Sequence, residues 1–273
     1  MGLRIWQQSI TDLEQLPQYR STLAAHGRTV CAPDTEVEVH GVRPGTYPDG
    51  LTPIEAIAYP WCHTLLSLQI VQGAIEAERQ GFDAVAVSCF FDPGLVEARS
   101  AVDIPVVSMC ETAFLVASSV GRRYGLIGLD DAHARYLHGL AREYGVSDRI
   151  AAIVPLHPAV TEADLDPVHG GGGDLARRVA GAAEALVARG ADLIIPAEGV
   201  LNTALMRQGL RELGGVPVLD AYGALLAYAE TLVRLRRTTG LATSRVGAYA
   251  KPDTAVRDHI AGMSTVELRR VAC

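Results

Sequence analysis

The sequence of 273 residues contains no apolar run long enough to span a bilayer and no charged-then-apolar leader, so a cytoplasmic protein without a membrane partner is expected. It also lacks a strong charge imbalance. A net charge of −7 argues against nucleic acid or an anionic membrane as the main partner, while leaving room for a small anionic substrate held by local donors. Cysteine is scarce and scattered: Cys31, Cys62, Cys89, Cys110 and Cys273 are odd in number and show no CxxC spacing, and no HxxxH occurs. Neither a disulfide framework nor a metal site is expected. For all but Cys89, a small buried hydrophobe is the expected role. The glycine-rich run HGGGGD (169–174) has neither the lysine of a P-loop nor a GxGxxG pattern. It reads as a flexible connection in which Asp174 caps a helix, not as a phosphate cradle.

What is present is an apolar, alternating chain. Hydrophobic residues make up 49% of it, and its length suffices for one large α/β domain or two compact lobes. Strands are expected at 3–6, 28–32, 84–88, 104–108, 123–129, 150–156, 193–197 and 216–220. Several are apolar without polar alternation, as in parallel strands covered on both faces. Helical patterns lie between them, at 65–80, 132–145, 174–190 and 220–236. This alternation indicates a parallel α/β architecture. The segment 41–53 reads as a loop leading to Trp61, expected to pack, and His63, for which packing and lining a cleft are equally weighted.

One motif occurs twice. GFDAVAVSCFFDPG (81–94) and GADLIIPAEGVLNT (190–203) share a glycine, an aspartate and an apolar strand. Asp83 leads to Cys89 in six steps and Asp192 to Glu198 in six steps. Each copy is followed by a helical stretch and a second strand. Two similar lobes would each present one reactive side chain at the carboxyl end of a strand, where α/β sheets bind ligands. Taken alone, Cys89 reads as core, and Glu198, before Gly199, as a helix-start carboxylate. Their equivalent positions assign them jointly to chemistry. Racemisation needs one group to remove a proton and another to return it from the opposite face. Burial can draw thiol and carboxyl pKa values together. Backbone N–H groups after Cys89 (at Phe90 and Phe91) and after Glu198 (at Gly199 and Val200) could bind a substrate carboxylate or an enolate oxygen.

At these residues the chain resembles the hydantoin racemase branch of the aspartate/glutamate racemase superfamily, along most of its length. The resemblance is strongest at SCFFDPGLVEAR (88–99), PVVSMCETA (105–113) and GLATSRVGAYAKP (240–252). It implies two pseudo-symmetric α/β lobes with mainly parallel four-stranded sheets and a site in the cleft between them. The first lobe is expected at 1–115 plus 225–273 and the second at 116–224. The resemblance also implies cofactor-independent chemistry by paired cysteines and frequent homo-oligomers. Cys89 matches the family's first cysteine and Glu198 falls where the second is usual. The Asn-Pro-Asn turn that usually follows the first strand is here QQSIT (7–11).

The leading expectation is a cofactor-independent racemase or epimerase, with Cys89 and Glu198 exchanging the proton of an acidic carbon beside a carbonyl or carboxylate. The substrate is expected to be small, anionic or an amide or imide. Gln8, Ser9 and Glu111 would position it. The alternatives keep the fold but make Cys89 the proton donor of a decarboxylase, or the nucleophile of a cis–trans isomerase or an amide or imide hydrolase. A non-catalytic binding protein ranks last. Further candidates are His133, either reaching the cleft or on an exposed helix face, Tyr249 in the closing signature, and Asp92, expected to cap the helix after it. Arg122 and Arg123 are expected to be solvated.

Overall fold

A computed structural model describes residues 2–48, 51–171 and 175–263. In chain order the elements are β1 (Leu3–Gln8), α1 (Pro17–Val30), β2 (Thr35–His40), α2 (Pro53–Ile57), α3 (Pro60–Arg79), β3 (Ala84–Val87), α4 (Leu95–Ala101), β4 (Val106–Ser108) and α5 (Met109–Val120). They continue with β5 (Tyr124–Gly128), α6 (Asp131–Glu143), β6 (Ile150–Pro155), α7 (Glu162–His169), α8 (Leu175–Val187), β7 (Leu193–Pro196) and α9 (Gly199–Arg207). A short hairpin of β8 (Glu212–Leu213) and β9 (Val216–Pro217) precedes α10 (Ala221–Thr239) and α11 (Thr254–Met263).

Two parallel sheets carry the fold. The first has the order β2-β1-β3-β4 and the second β6-β5-β7. Every residue of β3 and β7 is buried, as required of strands covered by helices on both faces. Helix α10 returns from the second half of the sequence to pack on α5 and on β1, β3 and β4 of the first sheet.

The repeated motif is reproduced in hydrogen bonds. Asp83 Oδ2 accepts the Arg4 N–H at 2.9 Å, beside the start of β1. Asp192 Oδ1 accepts the Arg123 N–H at 2.9 Å, beside the start of β5. β3 then runs along β1, and β7 along β5. Each aspartate pins the entry of its strand to a neighbouring strand, and the residue six positions later emerges at the carboxyl end in both halves.

Two expectations are corrected, and a third lies partly outside the described residues. Residues 28–32 are not a strand: α1 begins with Pro17, whose fixed φ suits a first helical position, and runs to Val30. The strand lies at 35–40 instead, where Thr35, Val37 and Val39 alternate with Glu36, Glu38 and His40 along a sheet edge. Residues 216–220 do not complete a second four-stranded sheet, because they supply only the hairpin and one parallel bridge between Val218 and Ile194. The glycine-rich run begins inside α7, at His169; its residues 172–174, including the expected cap Asp174, lie outside the described residues, as does Cys273.

Candidate active site

Cys89 lies two residues past the end of β3 and is 5% exposed. Its Sγ accepts the Phe91 N–H at 3.4 Å. Burial pushes the thiol well above its ordinary pKa, and the charges of Asp92, Glu198 and Glu162 add to this. Cys89 therefore rests as a neutral S–H. The turn after it is held by Asp92, which adopts a left-handed backbone with φ 45°. Asp92 does not cap the next helix, α4, whose N-cap is Gly94. Its carboxylate caps α5 instead, accepting the N–H groups of Cys110 (3.0 Å) and Glu111 (2.9 Å), and also takes Ser108 Oγ–H (2.5 Å) and the Tyr144 hydroxyl. Burial raises the Asp92 carboxyl to about 6 against these stabilising donors.

Glu198 is the N-cap of α9, and its Oε2 accepts the Leu201 N–H at 2.7 Å. Burial raises its pKa above the usual carboxylate range, although the N–H groups of Leu201, Val200 and Gly199 favour the charged form. The Phe91 N–H after Cys89 and the N–H groups after Glu198 are thus turned onto the side chains of those residues. Gly199 allows the two halves to meet here: a Cβ on it would lie 3.1 Å from the Ser88 carbonyl and 3.3 Å from the Tyr19 hydroxyl.

Cys89 and Glu198 line one small cavity between the two halves, with Ser9, Phe90 and Phe91 among its walls. Only about 10 Å³ is open to the centre of a water-sized molecule, roughly the room one water needs. Two wall residues carry no signal in the sequence. Tyr19 of α1 is 1% exposed, and burial pushes its hydroxyl far above the ordinary phenol range, so it remains a donor. Glu162, the first residue of α7, is 3% exposed. Burial, followed by the charge of Glu198, raises its pKa. In the sequence Glu162 looks like an ordinary first-turn acid behind the N-cap Thr161.

The remaining expected residues do not line this cavity. Gln8 accepts Trp6 Nε1–H at 2.8 Å and donates to the carbonyls of Ser9 and Gly41, both at 3.0 Å, so its side chain is fully engaged in the fold. Glu111 pairs with Arg99 (Nη2–Oε2 2.5 Å), which also donates to the Tyr249 hydroxyl at 3.1 Å. Glu111 and Tyr249 line a larger, separate cleft beside His63. Val200 is buried in the wall of α9, its carbonyl taken by His169 at 3.2 Å. His133 is not on an exposed face: it is 2% exposed, stacks on Phe91 with ring centroids 5.2 Å apart, and accepts the Leu129 N–H through Nδ1. Burial lowers its pKa to about 4, so the ring is neutral and backs the cavity wall without entering it. Trp61, expected to pack, is 62% exposed. Of the other thiols, Cys110 is buried, while Cys31 and Cys62 are only partly so. Arg122 and Arg123 are exposed, as expected, at the amino end of β5.

Residues 18–229 match the Asp/Glu/hydantoin racemase family, the greater part of the chain. The chain belongs to this family. A hydantoin racemase from Paenarthrobacter aurescens is 32% identical over 190 residues, covering 69% of this chain and 76% of that protein. Among solved structures, the allantoin racemase from Klebsiella pneumoniae superposes with a TM-score of 0.76 at 26% identity, covering 92% of this chain and 94% of that one. The allantoin racemase from Pseudomonas fluorescens gives 0.71 at 26% identity, covering 92% and 97%. The protein is accordingly an isomerase of the racemase type. In this racemase the described cysteines are free, and no group of three or more His, Cys, Asp or Glu residues among the described residues could hold a metal ion. No helix among them is long and apolar enough to cross a membrane.

Proposed function

We propose that this racemase inverts a small, uncharged ring amide or ureide of the hydantoin type, with Cys89 and Glu198 as its acid–base pair. The observation that carries this is their convergence, from equivalent positions of the two halves, on one buried cavity. Glu198 is the base for one enantiomer, and the neutral Cys89 thiol returns a proton from the opposite side. In the other direction the roles reverse. Tyr19 and the hydroxyls of Ser9 and Thr11 are the donors on the wall for an enolate oxygen.

The charge of the cavity supports an uncharged substrate. Two carboxyl groups, Glu162 and Glu198, line it, and none of the described lining residues is Lys, Arg or His. A free carboxylate would enter an environment of its own sign, which also argues against the decarboxylase alternative. The test is to incubate the protein with one enantiomer of a 5-substituted hydantoin. Optical rotation is expected to decay to zero with no change in substrate mass. A constant rotation, or a product that has lost carbon dioxide or gained water, would sink the reading.

Assembly into oligomers belongs to the same proposal. Helix α3 exposes Trp61, Leu68 and Ile75, at 62%, 53% and 43%, seven residues apart on one face, a stripe suited to a second copy. Light scattering that returned the monomer mass at micromolar concentration would count against it.

A further inference from the structure

The two oxygens of Glu162 are used differently. Oε1 accepts the Ile54 N–H at 2.9 Å, from α2. Oε2 is buried and makes no hydrogen bond among the described residues; the Thr52 hydroxyl and the Glu162 N–H lie near enough to favour the charged carboxyl, but the Thr52 hydroxyl donates to Glu55 Oε2 at 2.8 Å. A buried carboxylate oxygen without a donor is costly, and this carboxyl lines the cavity that holds Cys89 and Glu198. The other titratable groups acting on Glu162 and its surroundings are Glu198, Cys89 and Tyr47, and none of them is a cation. What is missing at Oε2 is a neutral N–H or O–H donor, on a wall of the cavity that also holds Cys89 and Glu198.

We propose that Glu162 is a substrate-binding residue whose Oε2 accepts an N–H of the ligand, so that the site selects amide and ureide donors and rejects carboxylates. The same carboxyl holds α2 through Ile54, and α2 supplies Pro53 and Ile57 to the cavity wall. Ligand recognition and closure of the wall therefore meet on one side chain. The proposal rests on the reading of this cavity as the active site, and it deepens that reading by naming what fixes the class of substrate.

Alkylation of Cys89 tests it without a known substrate. Iodoacetamide and iodoacetate react alike: a sulfur–carbon bond forms, iodide leaves, and the thiol proton passes to solvent. They differ in presenting an amide N–H or a carboxylate. Rates at Cys89, resolved by peptide mass and normalised to the same ratio for glutathione, are expected to favour the amide by about tenfold at about pH 8.5. Glu162→Gln keeps its one oxygen for the Ile54 N–H and so puts an NH₂, a donor, at the free position, and should remove most of that preference. In the wild type the preference should shrink as the pH falls and the carboxyls take up protons, a readout that needs no variant. Calorimetry with 5-methylhydantoin and its N1,N3-dimethyl derivative supplies the second arm: the wild type should bind the N–H parent about tenfold better, and Glu162→Gln should not. If Glu162→Gln keeps the wild-type alkylation ratio, the proposal is overturned. If the hydantoin neither binds nor reacts while the ratio collapses in the variant, the substrate proposed above fails and the role of Glu162 stands.

Discussion

Glu162 and Glu198 come from different helices to line one buried cavity, and the charge of Glu198 raises the pKa of Glu162 beyond what burial alone does. Both carboxyls sit above the ordinary carboxylate range in the folded protein, near 4.3 in an unfolded chain. The folded state therefore binds more protons than the unfolded state over the interval between those values, and stability falls as the pH rises through it. Each group contributes a slope of about 1.4 kcal/mol per pH unit there. The buried neutral rings of His133 and His169, both lowered to about 4, act oppositely, losing stability as the pH falls below about 6.5. The difference between wild type and Glu162→Gln cancels the histidine contribution. Denaturant midpoints are expected to show the variant gaining on the wild type from pH 5 to 8, and a constant difference would contradict the assignment.

The same groups set the pH dependence of turnover. In the proposed mechanism catalysis needs one proton on the Cys89–Glu198 pair, and macroscopic titrations of the free protein shape kcat/KM. The acid limb, governed by Glu198, should lie above the usual carboxylate range, and the alkaline limb, governed by Cys89, above the usual thiol range. A profile with its acid limb near pH 4 would show that a different carboxyl is the base.

Asp92 holds the turn that aims Cys89. Replacing it with Ala forces a Cβ-bearing residue to keep φ 45° without the local hydrogen bonding an Asp or Asn offers, and leaves four donors unpaired. Asp92→Ala should cost about 2–4 kcal/mol by equilibrium denaturation. Asp92→Asn tolerates the backbone and keeps one acceptor oxygen, so its loss should be smaller. Equal losses would place the effect in the charge and not in the turn.

Glu111, expected from the sequence to position substrate, is engaged by Arg99 outside the cavity. Glu111→Gln should therefore cost about 1–3 kcal/mol of stability by weakening a half-buried pair and leave KM unchanged. A raised KM with unaltered stability would restore it to the site.

The parts of the fold that sequence patterns reveal are those whose signal is local. Strands such as β3 and β7 are apolar at every position because both faces are covered, and the repeat brings Cys89 and Glu198 to matching strand ends. β2 escapes notice because an edge strand can carry Glu36, Glu38 and His40 on alternate positions, whereas Val30 and Cys31, in the stretch that reads as a strand, merely end a helix. Glu162 and Tyr19 escape for a different reason. Glu162 meets Ile54 across 108 positions of chain, and only the packing of α1, α2 and α7 around the cavity turns an unremarkable first-turn acid into a buried group facing Glu198. Gln8 and Glu111 show the converse, being buried or paired polar side chains whose partners all belong to the scaffold.

The central claim is that Glu198 stands in for a second thiol as one half of a two-sided proton exchange. Its most direct test is the rate at which Glu198→Gln racemises a single hydantoin enantiomer in deuterated buffer, relative to the wild type. The wild type is expected to incorporate deuterium at the stereocentre as rotation decays. The variant should be slower by about 10²–10⁴-fold, the usual effect of removing a general acid or base, with its fold and ligand binding retained. Racemisation by the variant at the wild-type rate would contradict the account.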